Sequence, residues 1–139
     1  MKTARNPPAV HDPLAGYSHQ IEISGPERLL LLSGQVGMEA DGRVPDDPAE
    51  QFEVALANVL RNLDEAGMAV TDLVKLTFYL VEPIEAERRA AILAERLPGW
   101  APCMTLVFVP RLASSALKVE VDAWASAARP VAAEEPAAE

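Results

Sequence analysis

The segment from Asp47 to Gly67 carries a complete helix pattern, and this helix constrains how the rest of the chain can fold. Asp47 can cap the first turn, Pro48 suits the first helical position, and Glu50 completes a capping-box-like pattern. Gly67 is a natural C-terminal stop. Apolar residues recur at helical spacing between these ends: Phe52, Leu56, Val59, Leu60 and Leu63. The sequence therefore predicts an amphipathic helix at this place.

Strand patterns lie on both sides of that helix. Residues 18–24 alternate apolar and polar side chains, which predicts a half-buried strand, whereas residues 29–36 are nearly all apolar, which predicts a strand covered on both faces. The turn residues between these two strands favour their antiparallel pairing. Further strands are predicted at residues 73–81, 104–109 and 117–124. Pro83 opens a second helix with Ala86, Ala90, Leu93 and Leu97 on one face.

The predicted element order is ββαβαββ, an α+β arrangement. Strand–helix–strand connections within one sheet are right-handed almost without exception, so we expect both helices on one face of a mixed sheet. The other sheet face stays bare in a single chain. It carries too much apolar surface to face water, which favours an oligomer.

Composition indicates one folded domain in this chain of 139 residues. Residues 1–14 contain three prolines and little periodicity, so they are predicted to form an N-terminal arm. Residues 126–139 consist mainly of Ala, Pro and Glu, and such a segment is predicted to be a flexible acidic tail. The folded domain is accordingly expected at residues 15–125.

Charge and cysteine content argue against several partners. The net charge of −9 opposes binding to nucleic acid, which is a polyanion. No apolar run approaches the roughly 20 residues of a membrane span, and residues 1–8 lack the apolar stretch of a signal peptide, so a cytoplasmic protein is expected. Cys103 is the single cysteine, and neither it nor His11 and His19 suggests a metal site.

Five short motifs lie along the chain: Ala-Gly-Tyr-Ser at 15–18, Leu-Leu-Ser-Gly-Gln-Val at 31–36, Asp-Leu-Val-Lys-Leu-Thr at 72–77, Pro-Cys-Met-Thr at 102–105 and Lys-Val-Glu-Val-Asp-Ala at 118–123. In this order and spacing they resemble the RidA/YjgF family of small trimeric proteins. The resemblance covers roughly residues 15–125. It implies a chorismate-mutase-like fold of the bacillus type, a homotrimer, and a small-molecule pocket at each subunit interface.

The resemblance also implies which residues line that pocket. Family members with a Pro-Ala-Arg-Ser segment hydrolyse reactive enamines and imines to ketoacids and ammonia without a cofactor. Matched residue by residue, Glu120 is the catalytic carboxylate, which can hold or activate water. The implied substrate-binding residues are Tyr17, Ser33, Gly34, Cys103, Met104 and Thr105. Other readings stay open, since Glu120 could be a surface carboxylate, Tyr17 interface packing and Cys103 a small buried hydrophobe.

Met104 is the departure from the family pattern, because it stands where the arginine would be. The planar fork of Arg grips a carboxylate bidentately, and Met has neither charge nor donor. Met is long and adaptable, so it could line an apolar pocket instead. Arg111, the nearest arginine along the chain, lies at an odd separation from Met104 and is expected on the opposite strand face.

Three functions remain open from the sequence. The first is a trimeric RidA-like protein that binds, or acts on, a small metabolite with altered specificity. The second is a weak enamine or imine deaminase, a cofactor-independent hydrolase that uses Glu120 and water. The third is a ribonuclease, which the negative charge and the lack of a histidine pair or basic groove disfavour. The expected partners are therefore a second and third copy of the chain and a small molecule, with no nucleic acid and no membrane.

Overall fold

The computed structural model describes residues 1–129, which form two helices and six strands. The helices are Pro48–Glu65 (α1) and Ala86–Arg96 (α2), and a short 3-10 turn at Val70–Asp72 leads into the fourth strand. The strands are Lys2–Arg5 (β1), Gln20–Ile23 (β2), Glu27–Val36 (β3), Leu73–Leu80 (β4), Cys103–Phe108 (β5) and Val119–Ala128 (β6).

Four of the strands build one mixed sheet in the order β3-β6-β4-β5. β4 and β5 run parallel, as expected for strands joined through a helix, whereas β6 is antiparallel to both β3 and β4. β1 and β2 form a separate antiparallel pair. The predicted α+β class with two helices and a mixed sheet is confirmed.

The ends of α1 follow from the residues that predicted them. The Asp47 carboxylate accepts a hydrogen bond from the Ala49 amide at 3.2 Å, and Pro48 is the first helical residue. Beyond the helix, Gly67 adopts a φ of +69°, a left-handed conformation that favours glycine. The Met68 amide then donates to the Leu63 carbonyl at 2.9 Å. The helix therefore ends where the sequence predicts.

The core lies between α1 and the helix-facing side of the sheet. Phe52, on the apolar face of α1, stacks on Phe78 of β4 with a centroid separation of 5.1 Å. Both rings are buried, together with alternate residues of β4 and β6. Other buried apolar side chains of α1, β4 and β6 include Leu56, Val59, Leu63, Leu73, Leu76, Leu80, Val119, Val121, Ala123 and Ala125. Because side chains alternate along a strand, the intervening residues of β4 and β6 point to the other side of the sheet.

Gln51 is a fully buried polar residue that ties the start of α1 to the segment before β6. Its side-chain amide donates to the carbonyls of Pro45 and Ala116 at 2.7 and 2.9 Å. Its side-chain carbonyl accepts from the Lys118 amide at 2.8 Å. Every polar group of this buried side chain is therefore paired, which offsets the cost of its burial.

Two predictions about the strands are wrong. The sequence predicts pairing of residues 18–24 with residues 29–36, but β2 pairs with β1, and β3 pairs with β6 instead. The sequence also predicts cover on both faces of residues 29–36, yet Leu29 and Leu31 are 57% and 54% exposed in the single chain. An apolar run in the sequence predicts that a strand is buried. It does not show whether the same chain or another chain buries it.

Three boundaries differ from the prediction. The second helix begins at Ala86 rather than at Pro83, which lies in the preceding loop. The predicted N-terminal arm contains a strand, β1, which forms an antiparallel pair with β2. β6 continues to Ala128, past the predicted start of the tail, while residues 130–139 of that tail lie outside the described residues.

The side of the four-stranded sheet that faces away from the helices is called the open face below. Register between the strands places on it Leu29, Leu31, Lys75, Thr77, Tyr79, Cys103, Thr105, Val107, Glu120, Asp122 and Trp124. Leu31 on the edge strand β3 and Trp124 on β6 are cross-strand partners on this face, and Trp124 is 45% exposed. Neither helix of the described chain is long and apolar enough to cross a membrane.

Candidate functional site

A cavity of about 890 Å³ lies between α2, β5 and the loop before β2. The face of α2 toward this cavity is built from the small residues Ala86, Ala90 and Ala94, which leave space that larger side chains would fill. The remaining lining is Leu14, Ala15, Gly16, Tyr17, Phe52, Phe78, Glu87, Arg89, Leu93, Leu97, Gly99, Trp100, Ala101, Met104 and Leu106. Most of it is apolar, as is usual for small-molecule sites.

Tyr17 reaches the cavity because the loop that carries it is fastened to the segment before β5. The Ser18 hydroxyl donates to the Ala101 carbonyl at 2.6 Å, and the Ser18 amide donates to the Pro102 carbonyl at 3.2 Å. The Tyr17 hydroxyl in turn accepts from the Leu14 amide at 3.1 Å. These bonds hold the tyrosine ring beside the start of β5.

Met104 lies on the helix-facing side of β5. It is the cross-strand partner of the fully buried Leu76, packs against the core, and lines the cavity together with Tyr17. Trp100 closes the same region, with its indole N–H donating to the Leu73 carbonyl at 2.8 Å. The structure thus brings two of the predicted site residues, Tyr17 and Met104, to one cavity.

Glu120 lies on the opposite side of the sheet from Met104. Glu120 pairs with Tyr79 across β6 and β4, whereas Met104 pairs with Leu76, and residues three apart on one strand point to opposite faces. Within one chain these two predicted site residues therefore cannot line the same pocket. Met104 and Glu120 are apart because they lie on opposite sides of the sheet, not because they are distant in sequence.

Gly34 lies beside Glu120, and Ser33 precedes Gly34 in β3. The ladder between β3 and β6 shifts register between Leu32 and Gln35, so Ser33 and Gly34 form an irregularity in the strand. At Gly34 the strand runs so close to Glu120 that a Cβ atom would lie 2.6 Å from the glutamate Cδ. A side chain at position 34 would therefore displace the Glu120 carboxyl group from its present place. Gly34 and Glu120 thus make a second group of predicted site residues, on the open-face side.

Cys103 and Thr105 also belong to the open face, next to Lys75. The Lys75 ammonium donates to the Thr105 hydroxyl at 2.6 Å. Burial raises the pKa of the Cys103 thiol, and the nearby Lys75 charge opposes that shift only in part. The thiol is therefore largely protonated near neutral pH, which makes it a poor nucleophile.

The open face carries one further polar pair that the sequence did not single out. The Tyr79 hydroxyl donates to the Asp122 carboxylate at 2.8 Å. This hydrogen bond, together with partial burial and the charges of Asp122 and Glu120, raises the pKa of Tyr79. The alternation of residues 73–81 predicts Tyr79 on this side, but its partner on β6 depends on the register.

Arg89 lines the cavity, although the sequence did not indicate it as a site residue. The helical spacing of Ala86, Ala90 and Leu93 is the signal that could have found it, because this spacing places Arg89 at the edge of their face. Arg111, the arginine nearest to Met104 along the chain, is exposed and is not among the residues that line the cavity. No group of three or more potential metal-ligating side chains occurs within residues 1–129.

A family model described as Endoribonuclease L-PSP matches residues 8–127. The chain belongs to this family, which is the RidA/YjgF family. The crystal structure of the Rid-family protein YyfB from Yersinia pestis, a protein of unknown function, superimposes with a TM-score of 0.78. It is 30% identical and covers 89% of this chain and 97% of its own. The predicted family and fold are thereby confirmed.

Two RutC family proteins are also similar to this RidA/YjgF member. One from Pyrococcus abyssi is 27% identical over 115 residues, 81% of this chain and 87% of that protein. One from Aquifex aeolicus is 32% identical over 71 residues, which are 50% of this chain and 54% of that protein. The second match spans only about half of its relative's length.

Proposed function

We propose that this RidA/YjgF protein is a homotrimer that binds, or acts on, a small metabolite in pockets at its subunit interfaces. The observation that carries the proposal is the cavity of about 890 Å³ that contains Tyr17 and Met104. Its size is within the range of ligand pockets, and its lining combines a few polar groups with aromatic and aliphatic side chains. Altered specificity follows from Met104, which cannot bind a carboxylate as arginine does.

The separation of the predicted site residues supports a pocket shared between subunits. Tyr17 and Met104 line the cavity, whereas Gly34 and Glu120 meet on the other side of the sheet. A complete pocket of the family type needs both groups. A neighbouring chain that brings its Gly34 and Glu120 to the cavity would supply the missing group.

The open face supports the same assembly. Leu29, Leu31, Val107 and Trp124 are exposed apolar side chains on one sheet face of the single chain. Burying an exposed Leu or Trp is worth on the order of 2 kcal/mol each, so a second copy gains by covering this face. The cytoplasmic location expected from the sequence remains a prediction.

Ligand-induced stabilisation in two tryptophan variants tests the proposal. Ala90 lines the cavity, and its neighbour Ala91 is exposed outside it, so Ala90→Trp fills the cavity and Ala91→Trp is its matched control. A panel of small acids, amines and ketones should raise the melting temperature of the wild type and of Ala91→Trp, but not of Ala90→Trp. The proposal fails if no compound stabilises the wild type, or if Ala90→Trp responds equally.

Weak enamine or imine deamination is the second candidate, and the closeness of Gly34 and Glu120 favours it. In a shared pocket the Glu120 carboxylate of a neighbouring subunit would activate water, and no cofactor is needed. Release of pyruvate from 2-aminoacrylate is the deciding assay. Without the family arginine we expect weak or absent turnover.

Ribonuclease activity, which the family description names, is the least supported function. The net charge of −9 disfavours RNA, and the carboxylates of Glu120 and Asp122 on the open face add to that repulsion. Salt-dependent binding of RNA by the purified protein would instead support ribonuclease activity.

A further inference from the structure

Arg89 is the single cation among the residues that line the cavity, and Glu87 is the single anion. Both lie on α2, and all other lining residues are uncharged. Residues two positions apart on a helix do not face each other, so Glu87 is not placed to pair with Arg89. The positive charge at this cavity is therefore supplied by α2, whereas β5 contributes the uncharged Met104.

The arginines of α2 differ in how they are paired. Arg88 forms an ion pair with Asp47 at 2.8 Å, and Arg96 forms one with Glu53 at 2.9 Å. Arg89 is half-buried and has no carboxylate within ion-pair distance among residues 1–129. Of the three, the arginine that lines the cavity is thus the one whose guanidinium has no anionic partner in this part of the chain.

A guanidinium in this position is suited to an anionic ligand group. Its five donors match the geometry of a carboxylate, and an apolar surrounding strengthens the charge-assisted hydrogen bonds that form. The rings of Tyr17, Phe52 and Trp100 around the cavity suit an apolar or aromatic body. Such a lining selects a ligand that has one charged end and one apolar end.

We infer that Arg89 binds the anionic group of the ligand from α2, at a place in the cavity other than the one that an arginine at position 104 of β5 would hold. The ligand class is a small carboxylic acid with an apolar body. This inference rests on the proposed function, since it names the substrate class of the same cavity.

Calorimetric titration of the full chain with phenylacetate and its neutral amide, phenylacetamide, tests the assignment. The two probes share their shape and differ in charge. The wild type should bind phenylacetate more tightly than phenylacetamide. Arg89→Gln should lower the affinity for phenylacetate roughly ten- to hundredfold, the worth of a charge-assisted hydrogen bond, and leave phenylacetamide unaffected. Arg88→Gln, the matched control, removes the same charge one residue away and should bind both probes as the wild type does.

Each other result overturns the inference in a distinguishable way. Equal binding of both probes by wild type and Arg89→Gln would reject the role of Arg89 and leave the cavity as a ligand site. An equal loss in Arg88→Gln would mean that general electrostatics, not a contact, attracts the acid. If neither probe binds the wild type, the ligand class is wrong, and the thermal panel with Ala90→Trp then decides whether the proposed function falls with it.

Discussion

Glu120 packs its carboxyl group into the space that a side chain at Gly34 would occupy. A Cβ built on Gly34 lies 2.6 Å from the Glu120 Cδ and 2.9 Å from its Oε1. The contact occurs at the register shift between β3 and β6, where the strand leaves regular pairing. The family resemblance predicts Gly34 as a site residue. The structure gives a steric reason for a glycine there, because a side chain would displace the candidate catalytic carboxylate of Glu120.

Alanine at Gly34 and at Gly37 should have different consequences. At Gly34 the added methyl meets the end of the flexible Glu120 side chain, which can move, so the free energy of unfolding should fall by less than about 1 kcal/mol. At Gly37 the methyl meets Gln51 Cβ at 2.5 Å and Cα at 2.7 Å in helix α1, which cannot move freely. Gly37→Ala should therefore cost roughly 3 kcal/mol by overpacking.

Urea unfolding of both variants measures these losses. The same Gly34→Ala protein should lose deaminase activity or ligand affinity, if the wild type has it, because the carboxylate is displaced. A Gly34→Ala variant that is as unstable as Gly37→Ala would show that Glu120 is held rigidly.

Charges on the open face should dissociate the proposed trimer. Leu31 and Trp124 are cross-strand partners and are 54% and 45% exposed in the single chain. Leu31→Glu and Trp124→Glu would each place an unpaired carboxylate in a subunit interface, which is costly unless it is paired. Analytical ultracentrifugation should find a trimer for the wild type and a monomer for either variant.

Ala91→Glu is the control for this experiment, because Ala91 is exposed on the outer side of α2. It should remain trimeric. A wild type that sediments as a monomer at micromolar concentration would contradict the assembly itself.

Restoring an arginine at Met104 should move the protein toward enamine hydrolysis. Met104 lines the cavity beside Tyr17, so the new guanidinium would point at a bound carboxylate. Loss of such a charge-assisted pair typically costs roughly 2–5 kcal/mol, so the gain in pyruvate formation is expected between about 30- and 4000-fold. Without ligand the variant should melt at a lower temperature, because the arginine is desolvated without an anion.

Met104→Leu controls for changes in packing and should gain no activity. The double variant Met104→Arg with Glu120→Ala should lose the gain if the neighbouring Glu120 activates water. A folded, trimeric Met104→Arg protein with no added activity would indicate that the pocket differs from the family pattern at more than one residue.

The stability of the fold should fall at alkaline pH through Tyr79. Its hydrogen bond to Asp122, partial burial and the nearby carboxylates raise the pKa of Tyr79 in the folded chain. A raised folded pKa means that the stabilisation is complete below the unfolded value of about 10 and is lost as the pH rises through the folded pKa. The free energy of unfolding should therefore decrease above about pH 10, and less so in Tyr79→Phe.

The phenolate absorbance of Tyr17→Phe isolates the titration, because Tyr17 and Tyr79 are the two tyrosines of the chain. The remaining tyrosine should titrate above about pH 10, the ordinary value for a tyrosine. A titration at the ordinary value would show that the Tyr79–Asp122 hydrogen bond does not persist in solution.

Local patterns in the sequence determined the helices, the strand periodicity and the family. Asp47, Pro48 and Gly67 act through contacts within a few residues, so the sequence alone locates both ends of α1. The motif at residues 31–36 is a continuous stretch of sequence, so the sequence alone could also identify Ser33 and Gly34. Local signals of this kind do not depend on how distant segments meet.

Pairing and sides of the sheet depended on the tertiary structure. The partner of β2, the separation of Met104 from Glu120 and the entry of Arg89 into the cavity all follow from which segments lie together. A strand pattern specifies that one side is buried and leaves open which neighbour covers it, because apolar burial is non-directional. Register resolves this, since a shift of one residue exchanges the two faces of a strand.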